Sequence, residues 1–414
     1  MVGSMSGIDR FNAGVLKSGR TLPIYLSAGA FFAAIAARGF LVPLRAHELG
    51  ADRFQVGILF SLATLAGAAL SLPAGLLADR FGRRSMVIFS ATTGGISQIL
   101  IAFSGSVPAD DLWQVVGGLG AGAAQAALFA ALADAVPAAR LGRAMGWLTM
   151  AMQIGFLGGP ALAGSLLVFF DLRAALAVTT VLYVLPLAVS PMISGARAAV
   201  PSWDLVTPLR EMSRRRGFPA AVLALFGATI VWGSVQAYLP LFGKEALGLG
   251  GPAIGYLLAI QAVFNGISRV PGGRIVDRAV RKGPIVATGV IVYALAVMVL
   301  PHLGGFWAPT VVLAVAVPFL ATAYVALSVT FSSLAPRNGM GVAMGLYGSI
   351  LFLGLGVGPA VFGEVMNRSG YVAGFTACGV ATIAIALAGL LVRAYEPALR
   401  RQPAVVMPPS APGV

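Results

Sequence analysis

The sequence has 414 residues, of which 58% are hydrophobic and only 10% charged, and its mean hydropathy is +0.90. A soluble chain carries roughly 25% charged residues on average, so this composition excludes a water-soluble globular protein and indicates one embedded in lipid. The net charge of +14 does not indicate nucleic-acid binding, because the basic residues lie in short segments between apolar runs. The single cysteine, Cys378, excludes an intrachain disulfide.

Twelve apolar runs follow one another along the chain, each close to the ~20 residues that a transmembrane helix needs. Their approximate limits are 22–46, 55–78, 85–104, 112–134, 142–168, 171–193, 219–243, 253–273, 284–303, 307–333, 340–366 and 371–394. The runs lack the alternation of an outer-membrane β-barrel. The sequence therefore predicts an all-α membrane protein with twelve transmembrane helices in two six-helix bundles.

The distribution of basic residues predicts the orientation in the membrane. Of the 28 lysines and arginines, 21 lie on the side of both termini, five lie on the opposite side, and two lie inside spans. Basic loops stay in the cytoplasm, so we expect a multi-pass protein of the cell (inner) membrane with both termini cytoplasmic. The expected segments are a cytoplasmic N-terminal segment (1–21), an N-terminal bundle (22–193), a cytoplasmic linker (194–218), a C-terminal bundle (219–394) and a disordered cytoplasmic tail (395–414).

The two halves carry the same residues at a constant spacing. Gly57, Gly75, Asp79 and Arg80 recur 198 residues later as Gly255, Gly273, Asp277 and Arg278. A second series recurs 199 residues later: Gly146, Gly155, Gly159, Pro160 and Gly164 correspond to Gly345, Gly354, Gly358, Pro359 and Gly363. Repeated halves of this kind are typical of one large class of secondary transporters.

The stretch from Gly75 to Arg84, GLLADRFGRR, resembles the loop 2–3 motif of the major facilitator superfamily. The resemblance implies a cytoplasmic gate that closes and opens between conformations. Its candidate residues are Gly75, Asp79, Arg80, Gly82, Arg83, Asp134, Asp277 and Arg278. The alternative interpretation is that these charges only set topology and cap helices.

A second motif, on helix five, resembles the antiporter motif of the same superfamily, with Ala163 in place of one glycine. Its residues are Gly146, Gly155, Gly159, Pro160 and Gly164. Small residues allow helices to approach closely, and proline bends a helix. The resemblance implies an exporter; the alternative is that the stripe serves close packing alone.

The sequence departs from the pattern of many drug exporters in helix four, where Gln114 or Gly118 occupies the position of an expected arginine. All acidic residues also fall in loops, tails or span ends. Proton antiport is thus implied by the resemblance alone, and its candidate carboxylates are Asp134, Glu364 and Glu48.

Two arginines lie inside predicted spans. A charge at that depth is costly and indicates function, so Arg38 in helix one is a candidate for binding an anionic group of a substrate. The alternative is that its side chain extends to the outer headgroups. Arg269 lies near the cytoplasmic end of predicted helix eight, where extension to the headgroups is the favoured interpretation.

Polar and aromatic side chains within the spans predict a largely apolar substrate cavity with a few directional contacts. The candidates are Arg38, Gln125, Gln153, Trp232, Gln236, Gln261, Asn265, Tyr324 and Tyr347. Each of them alone is more typical of a helix–helix contact. The set predicts a substrate with a large apolar part.

The function predicted best is efflux of amphipathic or hydrophobic small molecules by proton antiport. The alternative is an organic-anion carrier, in either direction, with Arg38 as the anion-binding residue. A receptor or scaffold is disfavoured because long loops are lacking, and an enzyme is disfavoured because the spans carry no catalytic pair. The sequence contains no ATP-binding P-loop pattern, so we expect no cofactor and no metal. Monomeric function is expected, with the lipid bilayer and a small-molecule substrate as the partners.

Overall fold

The computed structural model describes residues 21–137, 141–193, 205–336 and 340–391, and these ranges are almost entirely helical. Most of the predicted N-terminal segment, the predicted tail at 395–414 and the first part of the linker lie outside the described residues. The described part of the linker contains a short helix, Val206–Ser213.

The helices follow one another with short connections. In the first half they are α1 (Leu22–Glu48), α2 (Arg53–Phe81), α3 (Arg83–Phe103), α4 (Val107–Ala135), α5 (Leu141–Leu166) and α6 (Leu172–Met192). The second half begins with α7 (Phe218–Glu245), α8 (Gly251–Arg278), α9 (Gly283–His302) and α10 (Trp307–Leu334). A last helical stretch, Met340–Leu391, breaks at Gly370, where φ is 80°, and its two parts are α11 and α12.

Ten helices in the described ranges are long and apolar enough to cross a membrane, and the last of these is 50 residues long, enough for two crossings. The chain is therefore a multi-pass α-helical membrane protein. We call the end of the bundle where α1 begins the proximal end, and the end where α1 stops, at Glu48, the distal end.

Several helices extend beyond the apolar runs that predicted them. Helix α4 begins at Val107 rather than near 112, and α8 continues to Arg278 rather than stopping near 273. The reason is that a helix continues through polar residues once it leaves the hydrocarbon, whereas hydropathy marks only the apolar part. These extensions therefore add helix outside the hydrocarbon at both Val107 and Arg278.

Two local features determine how α2 begins and ends. Asp52 and Gln55 form a capping box, in which the Asp52 side chain accepts from the Gln55 backbone and the Gln55 side chain accepts from the Asp52 N–H. Gly82 has φ of 93°, which favours glycine, and it joins α2 to α3 in a single residue. The motif glycine at 82 is thus needed for a tight turn.

Repeated glycines allow helices within each half to pack closely. A methyl group at Gly159 on α5 would lie 2.3 Å from the backbone oxygen of Ala33 on α1. A methyl group at Gly358, its counterpart on α11, would lie 2.4 Å from the backbone oxygen of Ile230 on α7. Such contacts are possible only without a Cβ, so corresponding residues of the two motifs make corresponding contacts.

The two halves contact each other along α2 with α11 and along α5 with α8. A methyl group at Gly57 on α2 would lie 2.5 Å from the backbone oxygen of Pro359 on α11. A methyl group at Gly255 on α8 would lie 2.6 Å from the backbone oxygen of Pro160 on α5. These four residues are paired by the sequence repeat, so the same close approach of glycine to proline occurs at both interfaces.

Candidate transport pathway

Polar side chains meet near the middle of the α5–α8 interface. Gln153 Nε2 donates to Asn265 Oδ1 at 2.9 Å, and Arg269 Nε donates to the same oxygen at 3.2 Å. Asn265 is buried, whereas Gln153 and Arg269 keep partial exposure. We call Gln153, Asn265 and Arg269 the central triad; it joins one half to the other.

The expectation that Arg269 lies at the end of α8 is wrong. Helix α8 continues to Arg278, nine residues further, which places Arg269 about 14 Å from the helix end. Its guanidinium is turned toward Asn265 on the preceding turn rather than toward the headgroups. Arg269 is thus a charge of the membrane interior.

Arg38 is held inside the first half. It is 7% exposed, its Nε donates to Gln114 Oε1 at 2.8 Å, and its Nη2 donates to the same oxygen and to Trp113 O at 3.3 Å. Gln114 is one of the two residues, with Gly118, at which the resemblance to drug exporters led us to expect an arginine. The cation is therefore on α1 and the neutral partner on α4, and the side chain reaches neither the interface between the halves nor the headgroups.

A buried carboxylate lies beside Arg38. Asp110, in the first turn of α4, is 0% exposed, and among the acidic side chains that the structure describes it alone is fully buried. It is close enough to Arg45 and Arg38 to interact with both charges. Arg45 also donates to Ser104 O at 3.2 Å. Asp110 lies outside the predicted span, which began near 112, and its burial was therefore missed.

Other predicted cavity residues lie inside the halves. Gln261 Nε2 donates to the Tyr293 hydroxyl at 3.1 Å, and the Trp232 ring packs against Tyr293 with centroids 5.8 Å apart. Gln125 is partly buried on α4. The buried oxygen of Gln236 has no hydrogen-bond partner among the described residues.

Two tyrosines flank the central triad from the second half. The Tyr324 hydroxyl donates to Ala228 O at 3.1 Å, and the Tyr347 ring packs against Phe331 with centroids 5.5 Å apart. Both hydroxyls are close enough to Arg269 to interact with its charge. The structure thus brings Gln153, Asn265, Tyr324 and Tyr347 close to Arg269, and their role in a substrate cavity stays a prediction.

The predicted gate residues lie at the proximal end. Arg83 Nε donates to Asp134 Oδ2 at 3.0 Å and so ties α3 to α4. The Arg80 guanidinium lies 5.5 Å from the centroid of the Phe81 ring, and the Asp79 side chain lies outside the described part of the chain. The other predicted gate residues lie as follows: Gly75 on α2, Gly82 between α2 and α3, and Asp277 with Arg278 exposed in the last turn of α8.

At the distal end the halves are joined by a charged network. Glu245 at the end of α7 accepts from Arg53 Nη2 at 2.8 Å, from Arg53 Nε at 3.1 Å and from the Tyr371 hydroxyl at 3.0 Å. His47 Nδ1 lies 3.4 Å from its other oxygen. We call Glu245, Arg53, His47 and Tyr371 the distal network. Because Arg53 and His47 belong to the first half and the others to the second, it joins the two halves at this end.

The three predicted proton carriers each pair with an arginine. Asp134 pairs with Arg83, Glu48 lies 3.5 Å from Arg45, and Glu364 pairs with Arg368 on the same helix. All three keep partial or full exposure of the side chain. Asp110 is more deeply buried than any of the three.

A family model described as the Major Facilitator Superfamily matches residues 24–359 and, in a second match, 252–411. This chain belongs to the major facilitator superfamily. A solved bacterial homologue of the human lysosomal transporter Spinster, inward-facing and occupied, superposes with a TM-score of 0.70 at 16% identity, covering 91% of this chain and 95% of that one. The transporter fold expected from the two motifs is thus confirmed, and members of this family are not enzymes.

Three relatives are described as transport proteins. The Staphylopine export protein of Staphylococcus aureus is 22% identical over 89% of this chain and 95% of its own. The Probable sulfoacetate transporter SauU of Cupriavidus necator is 26% identical over 79% and 82%. The Multidrug resistance protein MdtG of Escherichia fergusonii is 29% identical over 59% and 60%.

Proposed function

We propose that this chain exports amphipathic or hydrophobic small molecules by alternating access and proton antiport. The observation that supports this best is that α5 packs on both halves. Gly155 and Gly159 pack against α1, whereas Pro160 and Gly164 pack against α8 of the other half. A helix packed in this way transmits a movement of one half to the other.

The relatives favour the export direction. Two of them are named for export or drug resistance, and the third is named as a probable transporter of sulfoacetate. The α5 motif on which the resemblance to exporters rests is nearly intact, and its glycines lie at helix contacts. The direction of transport, its coupling to protons and the class of substrate are all part of this proposal.

We place the chain in the cell (inner) membrane with the proximal end in the cytoplasm, because 21 of its 28 basic residues lie on that side. The distal network then closes the outer side. In this orientation Arg269 lies on the cytoplasmic side of the Gln153–Asn265 contact, which suits a protein that takes up its substrate inside. Monomeric function and two bundles at 22–193 and 219–394 complete the proposal.

Proton coupling requires a carboxylate that gains and loses a proton during the cycle. Asp110 has the burial that such a role demands, and it faces Arg38 and Arg45 of α1, with Asp111 as its neighbour on α4. Asp134, Glu364 and Glu48 remain candidates with more exposure. We therefore add Asp110 to the set of coupling residues.

The test is transport in liposomes that contain the purified protein. A panel of fluorescent lipophilic cations, anions and neutral compounds is offered outside vesicles whose interior is acidic, so that protein inserted inside-out pumps inward. Accumulation that collapses with a protonophore, and that protein-free liposomes lack, is the expected result. Movement of no compound, or movement indifferent to the pH gradient, contradicts proton-driven export.

A further inference from the structure

Arg269 has unused hydrogen-bond donors. Of its five N–H groups, only Nε is engaged, by Asn265 at 3.2 Å. Among the described residues none accepts from its two terminal nitrogens, and neither nitrogen is sealed inside the protein. Arg38 differs, since Gln114 and Trp113 accept from it through Nε and Nη2.

Arg269 also has no acidic counter-charge among the residues that the structure describes. The groups that interact with it from α10 and α11 are the hydroxyls of Tyr324 and Tyr347, and no described acidic side chain forms an ion pair with it. Burying a cation without a partner costs free energy. An unpaired cation in the membrane interior therefore indicates a function. A bound anion would supply both the counter-charge and the hydrogen-bond acceptors for the terminal nitrogens of Arg269.

The position of Arg269 suits a ligand that arrives from the proximal end. It lies about 7 Å from the midpoint of α8 toward that end, on the proximal side of the Gln153–Asn265 contact. An anion therefore reaches the guanidinium without breaking that contact or the distal network. The shared acceptor on Asn265 fixes the direction of the side chain and leaves its planar edge free for a bidentate contact.

We propose that Arg269 binds the anionic group of the transported molecule, and that the substrate is a water-soluble amphipathic organic anion, a carboxylate or a sulfonate. This rests on the proposed export function and specifies the charge of the substrate. Tyr347 and Tyr324 supply nearby hydroxyls, and Gln153, which is partly exposed, contacts the same Asn265 oxygen. The assignment moves the anion site from Arg38, in the first half, to Arg269 at the interface between the halves.

The test is thermal stabilisation of the purified protein in a neutral detergent by three probes with the same eight-carbon alkyl chain: octanesulfonate, nonanoate and octyltrimethylammonium. A ligand stabilises the folded state according to its occupancy. The wild type is expected to bind both anions at least about tenfold more tightly than the cation, since hydrogen bonds to charged groups contribute a factor of that order.

Two variants remove the free charge in different ways. Arg269→Gln deletes it. Asn265→Asp keeps the acceptor oxygen for Gln153 and places a carboxylate beside Arg269, so it neutralises the charge with little change in volume. Both are expected to abolish the preference for anions, whereas Arg269→Lys is expected to keep part of it. If one variant fails to fold, the other provides the test.

The rival site is tested with Arg38→Gln, which deletes the charge there and is expected to leave the preference for anions intact. Loss of the preference in Arg38→Gln but not in Arg269→Gln and Asn265→Asp overturns the assignment. Equal binding of the cation by the wild type overturns it too, as does stabilisation by phosphatidylglycerol but not by octanesulfonate. Anion binding at Arg269 with uptake instead of efflux in liposomes would refute the export direction alone.

Discussion

Glu245 is expected to hold the distal end closed, and replacing it with glutamine should open that end. The substitution keeps the shape of the side chain and removes the charge that Arg53 contacts at 2.8 and 3.1 Å. Hydrogen bonds to charged groups contribute about 1.5–3 kcal/mol, and exposed ion pairs only about 0.2–1 kcal/mol. Because Arg53 is about one-third exposed, we expect a loss of about 1–2 kcal/mol.

This loss applies to the closed conformation only, since outward opening separates Arg53 from Glu245. A loss of 1–2 kcal/mol, roughly a factor of 5–30, shifts the equilibrium toward the outward-open state. The assay is pulsed electron paramagnetic resonance with spin labels at Phe169 and Trp307, which are exposed at the distal end of opposite halves. Cys378 is fully buried, so it is expected to stay unlabelled.

The matched control is Arg368→Gln, which breaks the ion pair with Glu364 near the same end. That pair joins two residues of α11 and does not connect the halves. A long-distance population is expected to grow in Glu245→Gln and stay at the wild-type level in the control. Unchanged distances in Glu245→Gln, or an equal change in both variants, would refute the closing role of the distal network.

Three further outcomes are expected. Gly255→Ala places a methyl 2.6 Å from the Pro160 oxygen, so overpacking of about 1–3 kcal/mol should lower the melting temperature and slow transport. Gly158→Ala on α5, where a methyl meets nothing within 4 Å, should do neither, and equal effects would contradict the close approach. Asp110→Asn should abolish pH-driven accumulation but keep substrate exchange, and retained pH-driven accumulation would remove it from the coupling residues. Gly82→Ala, at φ of 93° and ψ of 149°, should cost about 1–3 kcal/mol of folding free energy. The cost is measured by thermal unfolding against Gly75→Ala, and an unchanged melting temperature would count against a strained turn.

The number of helices and the family were predictable because both depend on local patterns. Apolar runs report directly on lipid contact, and the repeated glycines report on close helix contacts, as at Gly159 and Gly358. The need for glycine at position 82 was also predictable from the sequence, because the motif places a glycine at the one-residue turn that follows a long helix.

The chemistry of the interior was less predictable because it depends on where helices end and which faces meet. Arg269 was placed at a helix end because the apolar run stops at Gly273, although the helix continues to Arg278. Arg38 was recognised as a buried charge, but its partner Gln114 is 76 residues away along the chain. The repeat itself contained a clue: a helix that reaches Asp79 in the first half should reach Asp277 in the second.

The one-residue joints at Gly82 and Gly370 have a mechanical consequence. No flexible peptide separates α2 from α3 or α11 from α12, so each pair behaves as a stiff hairpin. Helices α2 and α11 also face each other across the interface between the halves. If α2 and α11 slide along each other, α3 must move with α2 at one membrane surface and α12 must move with α11 at the other. A movement at this one interface is therefore coupled to both membrane surfaces through rigid helix pairs rather than through flexible loops.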